Sequence, residues 1–185
     1  MRLWVPLDAA ARAMGADEVA KALAQALPEA RITRNGTRGM IWLEPLVEVE
    51  RDGVRYGYGP VAPEDVATLA EAIRSGGDHP LALGPVGDLP WMRGQTRLTF
   101  ARVGVIDPLS IDEYQAHGGL AGLRRALDLG PEQTVDEVTA SGLRGRGGAG
   151  FPTGIKWKTV AGAKAAQKYI ICNADEGDSG SFADR

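Results

Sequence analysis

Thirteen residues, Gly142-Leu-Arg-Gly-Arg-Gly-Gly-Ala-Gly-Phe-Pro-Thr-Gly154, contain six glycines and two arginines. Glycine lets backbone N–H groups approach phosphate oxygens with no Cβ in the way. A helix opening at Thr153 would turn its positive end toward the same anion. Between residues 139 and 174 there is no Asp or Glu, whereas Arg144, Arg146, Lys156, Lys158, Lys164 and Lys168 supply six cations. An anion entering there meets a field of one sign. Carboxylates then return together as Asp175, Glu176 and Asp178, after the amide of Asn173. A loop that accepts phosphate, followed by a strand end that delivers an amide and acids, suits a phosphorylated heterocycle with hydrogen-bonding edges. A flavin or a nucleotide fits that description.

The spacing of Gly145, Gly147 and Gly150 satisfies G-x-G-x-x-G. A dinucleotide fingerprint follows a strand, however, and here a helix precedes it, so the ordinary Rossmann reading fails its context. On the residues alone, a glycine-rich structural turn and an Arg-Gly-type RNA segment stand beside ligand binding. RNA is the weaker rival, because only Phe151 and Trp157 are interleaved aromatics. Lys156 reads either as a point charge for phosphate or as a solvated helix lysine. Asn173, Asp175 and Glu176 read either as ligand groups at a strand end or as solubilising loop residues. Cys172 closes an expected strand, residues 168–172, as a packing residue. His79 and His117 have no second metal ligand nearby in sequence.

The whole chain of 185 residues carries a net charge of −3, which argues against a general nucleic-acid binder. No apolar run approaches the roughly 18 residues of a membrane span. The opening residues lack the apolar core of a signal peptide, so a cytoplasmic protein is expected. One cysteine excludes an intrachain disulfide and any metal site built from several thiolates of this chain.

The elements that must carry the loop alternate. Residues 2–5 read as a strand, 17–27 as an amphipathic helix stopped by Pro28, and 30–34 as a second strand. Residues 43–50 and 54–58 read as a hairpin turning at Asp52-Gly53, and 63–74 as another helix. This βαβ-ββ-α order predicts an α/β, thioredoxin-like domain over residues 1–74. Residues 75–95 read as a linker or extended wrap, rich in Gly and Pro. A strand at 96–105 and helices at 110–117, 120–129 and 131–140 follow, with Gly130-Pro131 as a stop and start. Helix is expected again at 153–161. The chain closes soon after the last expected strand, which reads as part of a longer protein.

Two motifs now carry a resemblance: Ser141-Gly-Leu-Arg-Gly-Arg-Gly-Gly-Ala-Gly-Phe-Pro-Thr-Gly-Ile-Lys-Trp157 and Ile171-Cys-Asn-Ala-Asp-Glu-Gly-Asp-Ser-Gly-Ser-Phe-Ala-Asp-Arg185. They resemble the flavin-bearing, NADH-oxidising subunit shared by respiratory complex I, NAD-reducing hydrogenases and NAD-dependent molybdenum or tungsten formate dehydrogenases. The resemblance covers residues 96–185, which are then the N-terminal part of a complex I flavoprotein-type FMN-binding α/β domain. It implies FMN and NAD as cofactors. Gly145, Arg146, Gly147, Gly148, Ala149, Gly150 and Lys156 would hold the FMN phosphate and ribityl chain, and Asn173, Asp175 and Glu176 would meet the isoalloxazine. Phe151 would lie against the NADH adenine. Glu176, Gly177 and Asp178 would line the nicotinamide and ribose, with Glu176 nearest the hydride transfer. In this family the remaining flavin contacts and a 4Fe-4S site follow later in the chain. Gly177 and Asp178 depart from the complex I pattern, which often has Glu at the second position.

Thioredoxin-like 2Fe-2S ferredoxins carry cysteines in the first loop and in a G-C-x-G-x-C-x-x-x-P stretch. The frame is kept here as Gly36-Thr-Arg-Gly-Met-Ile-Trp-Leu-Glu-Pro45, with Thr37 and Ile41 at the ligand positions and Pro6 and Ala11 in the first loop. None binds iron as a thiolate does. The N-terminal domain therefore looks like a cluster-free relic kept for docking. That combination most resembles the diaphorase subunit of cytosolic formate dehydrogenase. It implies a molybdenum or tungsten catalytic subunit and a small 2Fe-2S subunit as partners, without nucleic acid or membrane.

Overall fold

The computed structural model describes residues 1–146 and 148–172. The chain divides into two compact units, Met1–Ala121 and Gly122–Arg185.

In the first unit, β1 (Arg2–Pro6) and β2 (Arg31–Asn35) pair in parallel, with α1 (Ala9–Ala13) and α2 (Ala16–Ala26) forming the crossover that a parallel pair requires. Asp8 starts α1 by accepting a hydrogen bond from the Ala11 N–H at 3.3 Å. α2 opens after Gly15, whose φ of 96° is left-handed, and has Asp17 and Glu18 in its first turn, where the helix dipole favours acids. Val19, Ala20 and Leu23 recur on its buried face. β3 (Val47–Arg51) and β4 (Val54–Tyr58) form the expected hairpin. Its two turn residues, Asp52 and Gly53, have φ of 51° and 76°, the positive pair that matches strand twist. Then come α3 (Val66–Ser75), β5 (Ala82–Pro85), α4 (Pro90–Arg93) and α5 (Ile111–Ala116). The sheet runs β2-β1-β3-β4-β5, mixed in direction. This is the α/β, thioredoxin-like order that the sequence predicts.

Strand alternation divides the sheet into two faces. Leu3, Val5, Val47 and Val49 face α2 and α3 and join Val19, Leu23, Leu69 and Ile73 in the main core. Trp4, Thr33 and Glu48 point the other way and are also buried. That second face is covered by residues 104–106 instead of a helix. Arg55 donates to the carbonyls of Gly104 at 2.9 Å and Val105 at 2.7 Å, and Asn35 donates to Gly104 at 2.8 Å. Ile106 is buried there. The buried carboxylate of Glu48 is neutralised by Arg38, at 2.5 and 2.8 Å, and by Arg55 at 3.3 Å.

Three expectations need correction. The stretch 75–95 is more than a linker, since it supplies β5, which the free edge of β4 recruits, and α4, which Pro90 opens at its first position. Residues 96–105 form turns instead of a strand, because Arg55 and Asn35 side chains occupy the carbonyls that a ladder would use. Residues 168–172 show no regular structure, and a strand has no partner strand beside it among the described residues of that unit.

The described part of the second unit is helical: α6 (Ala121–Leu129), α7 (Pro131–Ala140) and α8 (Thr153–Gly162). Gly130, at φ 78°, and Pro131 break α6 from α7, as expected. Arg125 and Glu137 tie the two helices with a two-pronged ion pair. Among the described residues no helix is long and apolar enough to cross a membrane.

Candidate functional site

The glycine-rich segment is a closed loop set between α7 and α8. Arg144 and Pro152 form a β-bridge at its neck. The Gly145 N–H donates to the Phe151 carbonyl at 2.8 Å, and the Thr153 N–H donates to Leu143 at 2.9 Å. These bonds fix where the loop leaves α7 and where α8 begins. Within the loop, Gly148 at φ 94° and Gly150 at φ 58° adopt the left-handed conformation that favours glycine. Arg146, Gly148 and Ala149 are exposed, and Gly145 and Gly150 are half-buried.

α8 aims its first turn at this loop. Pro152 occupies the cap position and no side chain caps the helix, so its first N–H groups depend on other acceptors. Lys156 lies one turn into the helix, with its Nζ 5.9 Å from the centre of the Phe151 ring. The same nitrogen is 3.2 Å from where a Cβ on Gly145 would sit, and the Phe151 carbonyl oxygen is 3.5 Å from that point. A bare Gly145, an ammonium group and a helix N-terminus thus share one small volume. Lys158, two residues on, is paired with Asp136 at 3.4 Å. Phe151 is 47% exposed and presents its ring at the mouth of the loop. The bare backbone at Gly145 is a cradle that any side chain would fill, which fits a phosphate group.

The structure therefore brings together Gly145, Phe151 and Lys156, and places Arg146, Gly148, Ala149 and Gly150 on the intervening turn. Gly147, Asn173, Asp175, Glu176, Gly177 and Asp178 lie outside the described residues. Two contributors escaped the sequence reading. Arg144 forms the neck, and its Nε is 3.6 Å from where a Cβ on Gly150 would stand. Gly154 is buried against α7, where a Cβ would meet Thr139 Cα at 2.6 Å. The repeated Arg-Gly pair signalled the first. Helical proximity of Thr139 and Gly154 had no sequence signal.

Among the described residues no group of His, Cys, Asp and Glu is placed to hold a metal. At the positions that would hold a cluster in a ferredoxin, Ala11 is buried, Ile41 is half exposed, and the Thr37 N–H donates to Asp8 at 2.9 Å. The two loops are thereby joined by a hydrogen bond from one to the other.

Residues 138–185 match the family described as the Nuo51 FMN-binding domain. The NADP-reducing hydrogenase subunit HndC of Solidesulfovibrio fructosivorans is 57% identical over 91 residues, covering 49% of this chain and 18% of that protein. An NADH-quinone oxidoreductase subunit of Aquifex aeolicus is 55% identical over 76 residues, covering 41% of this chain and 18% of that protein. The chain thus spans less than a fifth of the length of these two relatives. Among solved structures, a thioredoxin-like [2Fe-2S] ferredoxin from Aquifex aeolicus aligns with 46% of this chain and 91% of its own, at 22% identity and a TM-score of 0.40. The family match and the relatives' names support FMN and NAD as the cofactors of the matched domain. Residues 138–185 carry the signature of the Nuo51 FMN-binding domain, the family to which the glycine loop had pointed.

Proposed function

We propose that this chain is part of the flavoprotein subunit of an NAD-linked oxidoreductase complex, and specifically of a cytoplasmic NAD-dependent formate dehydrogenase. The observation that carries the flavin assignment is the convergence of Lys156, the α8 N-terminus and the side-chain-free backbone of Gly145 on one volume. Gly145, Arg146, Gly147 and Gly148 hold the FMN phosphate through backbone N–H groups, with Lys156 and Arg146 balancing its charge. Gly150 keeps the turn tight, Ala149 adds a small side chain beside the ribityl chain, and Phe151 offers a ring face to the adenine of NAD. Asn173, Asp175 and Glu176 supply hydrogen bonds to the isoalloxazine, and Gly177 and Asp178 line the nicotinamide side. When bound, FMN supplies hydride exchange with NAD, and the protein's part is to orient the two rings.

The formate assignment rests on the thioredoxin-like domain without ligand cysteines, joined in one chain to the flavin motifs. The partners proposed with it are a molybdenum or tungsten formate-oxidising subunit and a small 2Fe-2S subunit. A hydrogenase flavoprotein is the second reading, favoured by the 57% identity to the HndC subunit. NADH formation by the intact complex, with formate in one assay and H2 in another, separates the two. Formate-dependent NADH without a response to H2 is expected. The reverse pattern would move the chain to the hydrogenase branch. Flavin fluorescence of the full-length subunit tests the common core, and stoichiometric FMN is expected there.

A further inference from the structure

The first unit exposes a surface unlike the rest of the chain. Two segments, residues 36–43 and 89–106, contain four arginines, Arg38, Arg93, Arg97 and Arg102, and no Asp or Glu. They lie against each other. Trp42 and Trp91 meet edge to face with ring centres 5.5 Å apart, and the Trp91 indole N–H donates to the Arg38 carbonyl at 3.3 Å. Trp42 is 61% exposed and Trp91 47%, and Leu98 beyond them is 83% exposed. A soluble protein seldom leaves two adjacent tryptophans in water without a use for them. The cationic groups are unequally satisfied. Arg38 is engaged by Glu48, but the buried Nε of Arg97 finds no acceptor among the described residues. Burial, and then the neighbouring Arg38, hold the Arg97 guanidinium below its ordinary range.

We propose that this face is the docking surface for an acidic segment of another protein chain, with Arg97 receiving a carboxylate and the Trp42–Trp91 pair receiving an apolar side chain. The proposal rests on the reading of the chain as one subunit of a complex. Tryptophan and arginine at the centre of a patch are the residue types that dominate binding energy at protein interfaces. The acid-free rim demands a partner of opposite sign. A second copy of this chain fits poorly, because a two-fold contact would set these arginines against their own equivalents. Single-stranded nucleic acid fits less well too. The perpendicular tryptophans do not offer two parallel faces to successive bases, and the chain carries net negative charge.

The test is a photocrosslinking amino acid placed at position 42 of the full chain within its intact purified complex, with the crosslinked peptides sequenced by mass spectrometry. Crosslinks to an Asp- or Glu-rich peptide of a different subunit are expected. Crosslinks to another copy, to nucleic acid, or to this chain alone overturn the proposal, and so does the lack of any crosslink. A second arm uses Arg93→Glu with Trp42→Ala, two exposed positions whose change leaves the core intact. Association should weaken about tenfold or more, and wild-type association should weaken as salt is raised. Unchanged association in both arms counts against the surface. Bound FMN is measured on the same samples. Flavin retained with unaltered assembly sinks the docking surface alone, whereas flavin missing from the wild type sinks the flavoprotein reading.

Discussion

A side chain at position 145 would place its Cβ 3.2 Å from the Nζ of Lys156. That distance links two residues eleven positions apart, one on the loop and one on the helix the loop feeds. Gly145→Val should therefore fill the volume assigned to phosphate and push Lys156 aside, leaving the full-length subunit without bound flavin. Lys156→Met keeps the space and deletes the charge, so FMN should bind about tenfold more weakly, or about 1.4 kcal/mol. Flavin fluorescence titration reads both. Equal loss in the two variants would mean that the loop had unfolded, and no loss in either would remove the cradle.

Gly154 makes a different kind of demand. It sits where α8 crosses α7, and a Cβ there would overlap the Thr139 Cα at 2.6 Å, a backbone atom that cannot swing away. Gly154→Ala should drive the helices apart and cost about 1–3 kcal/mol, the usual range for overpacking. Urea unfolding of the full-length protein measures it. Pairing it with Thr139→Gly should restore part of the loss, because the obstructing side chain is then gone. An unaltered midpoint in the single variant would show that the helices can separate freely.

The order of elements in the first unit was legible because each carries a local signal: Pro28 after α2, Asp52-Gly53 at the hairpin, Gly130-Pro131 between α6 and α7. The glycine loop was legible for the same reason, since bare backbone and clustered charge are written in residue type. What escaped depends on contacts distant in sequence. β5 exists because β4 has an edge to fill, and residues 104–106 lie flat because Arg55 reaches them from 49 and 50 positions away. Gly154 looked like one more loop glycine until Thr139 stood beside it.

Arg55 is the side chain on which that covering segment depends. Its guanidinium reaches two successive carbonyls, stands 3.6 Å from the centre of the Trp4 ring, and still touches Glu48. Lysine cannot reproduce this, having a single ammonium in place of a planar fork. Arg55→Lys should loosen residues 102–106 without unfolding the sheet. Trypsin cleavage after Arg102 should then quicken, by about fivefold to thirtyfold for a local loss of about 1–2 kcal/mol. A wild-type cleavage rate would mean that Asn35 and Ile106 hold the segment unaided.

Glu44 gives the fold a pH dependence of a definite sign. Its carboxyl is buried, with one oxygen accepting from the Leu46 N–H at 2.9 Å and the other without a partner among the described residues. Burial pushes this carboxyl above the ordinary range, and the nearby charges of Asp8 and Glu48 push the same way. The folded state thus holds the Glu44 proton more tightly than the unfolded chain does. Its contribution to stability is fully present below the ordinary carboxylate range and is lost as pH rises through the elevated folded value. Glu44→Gln keeps an acceptor for Leu46 and removes the titration. Relative to wild type, the variant should gain stability between about pH 4 and pH 8, read as the difference in urea midpoints. A difference that stays constant across that interval would place the carboxyl in contact with water and leave its burial without consequence.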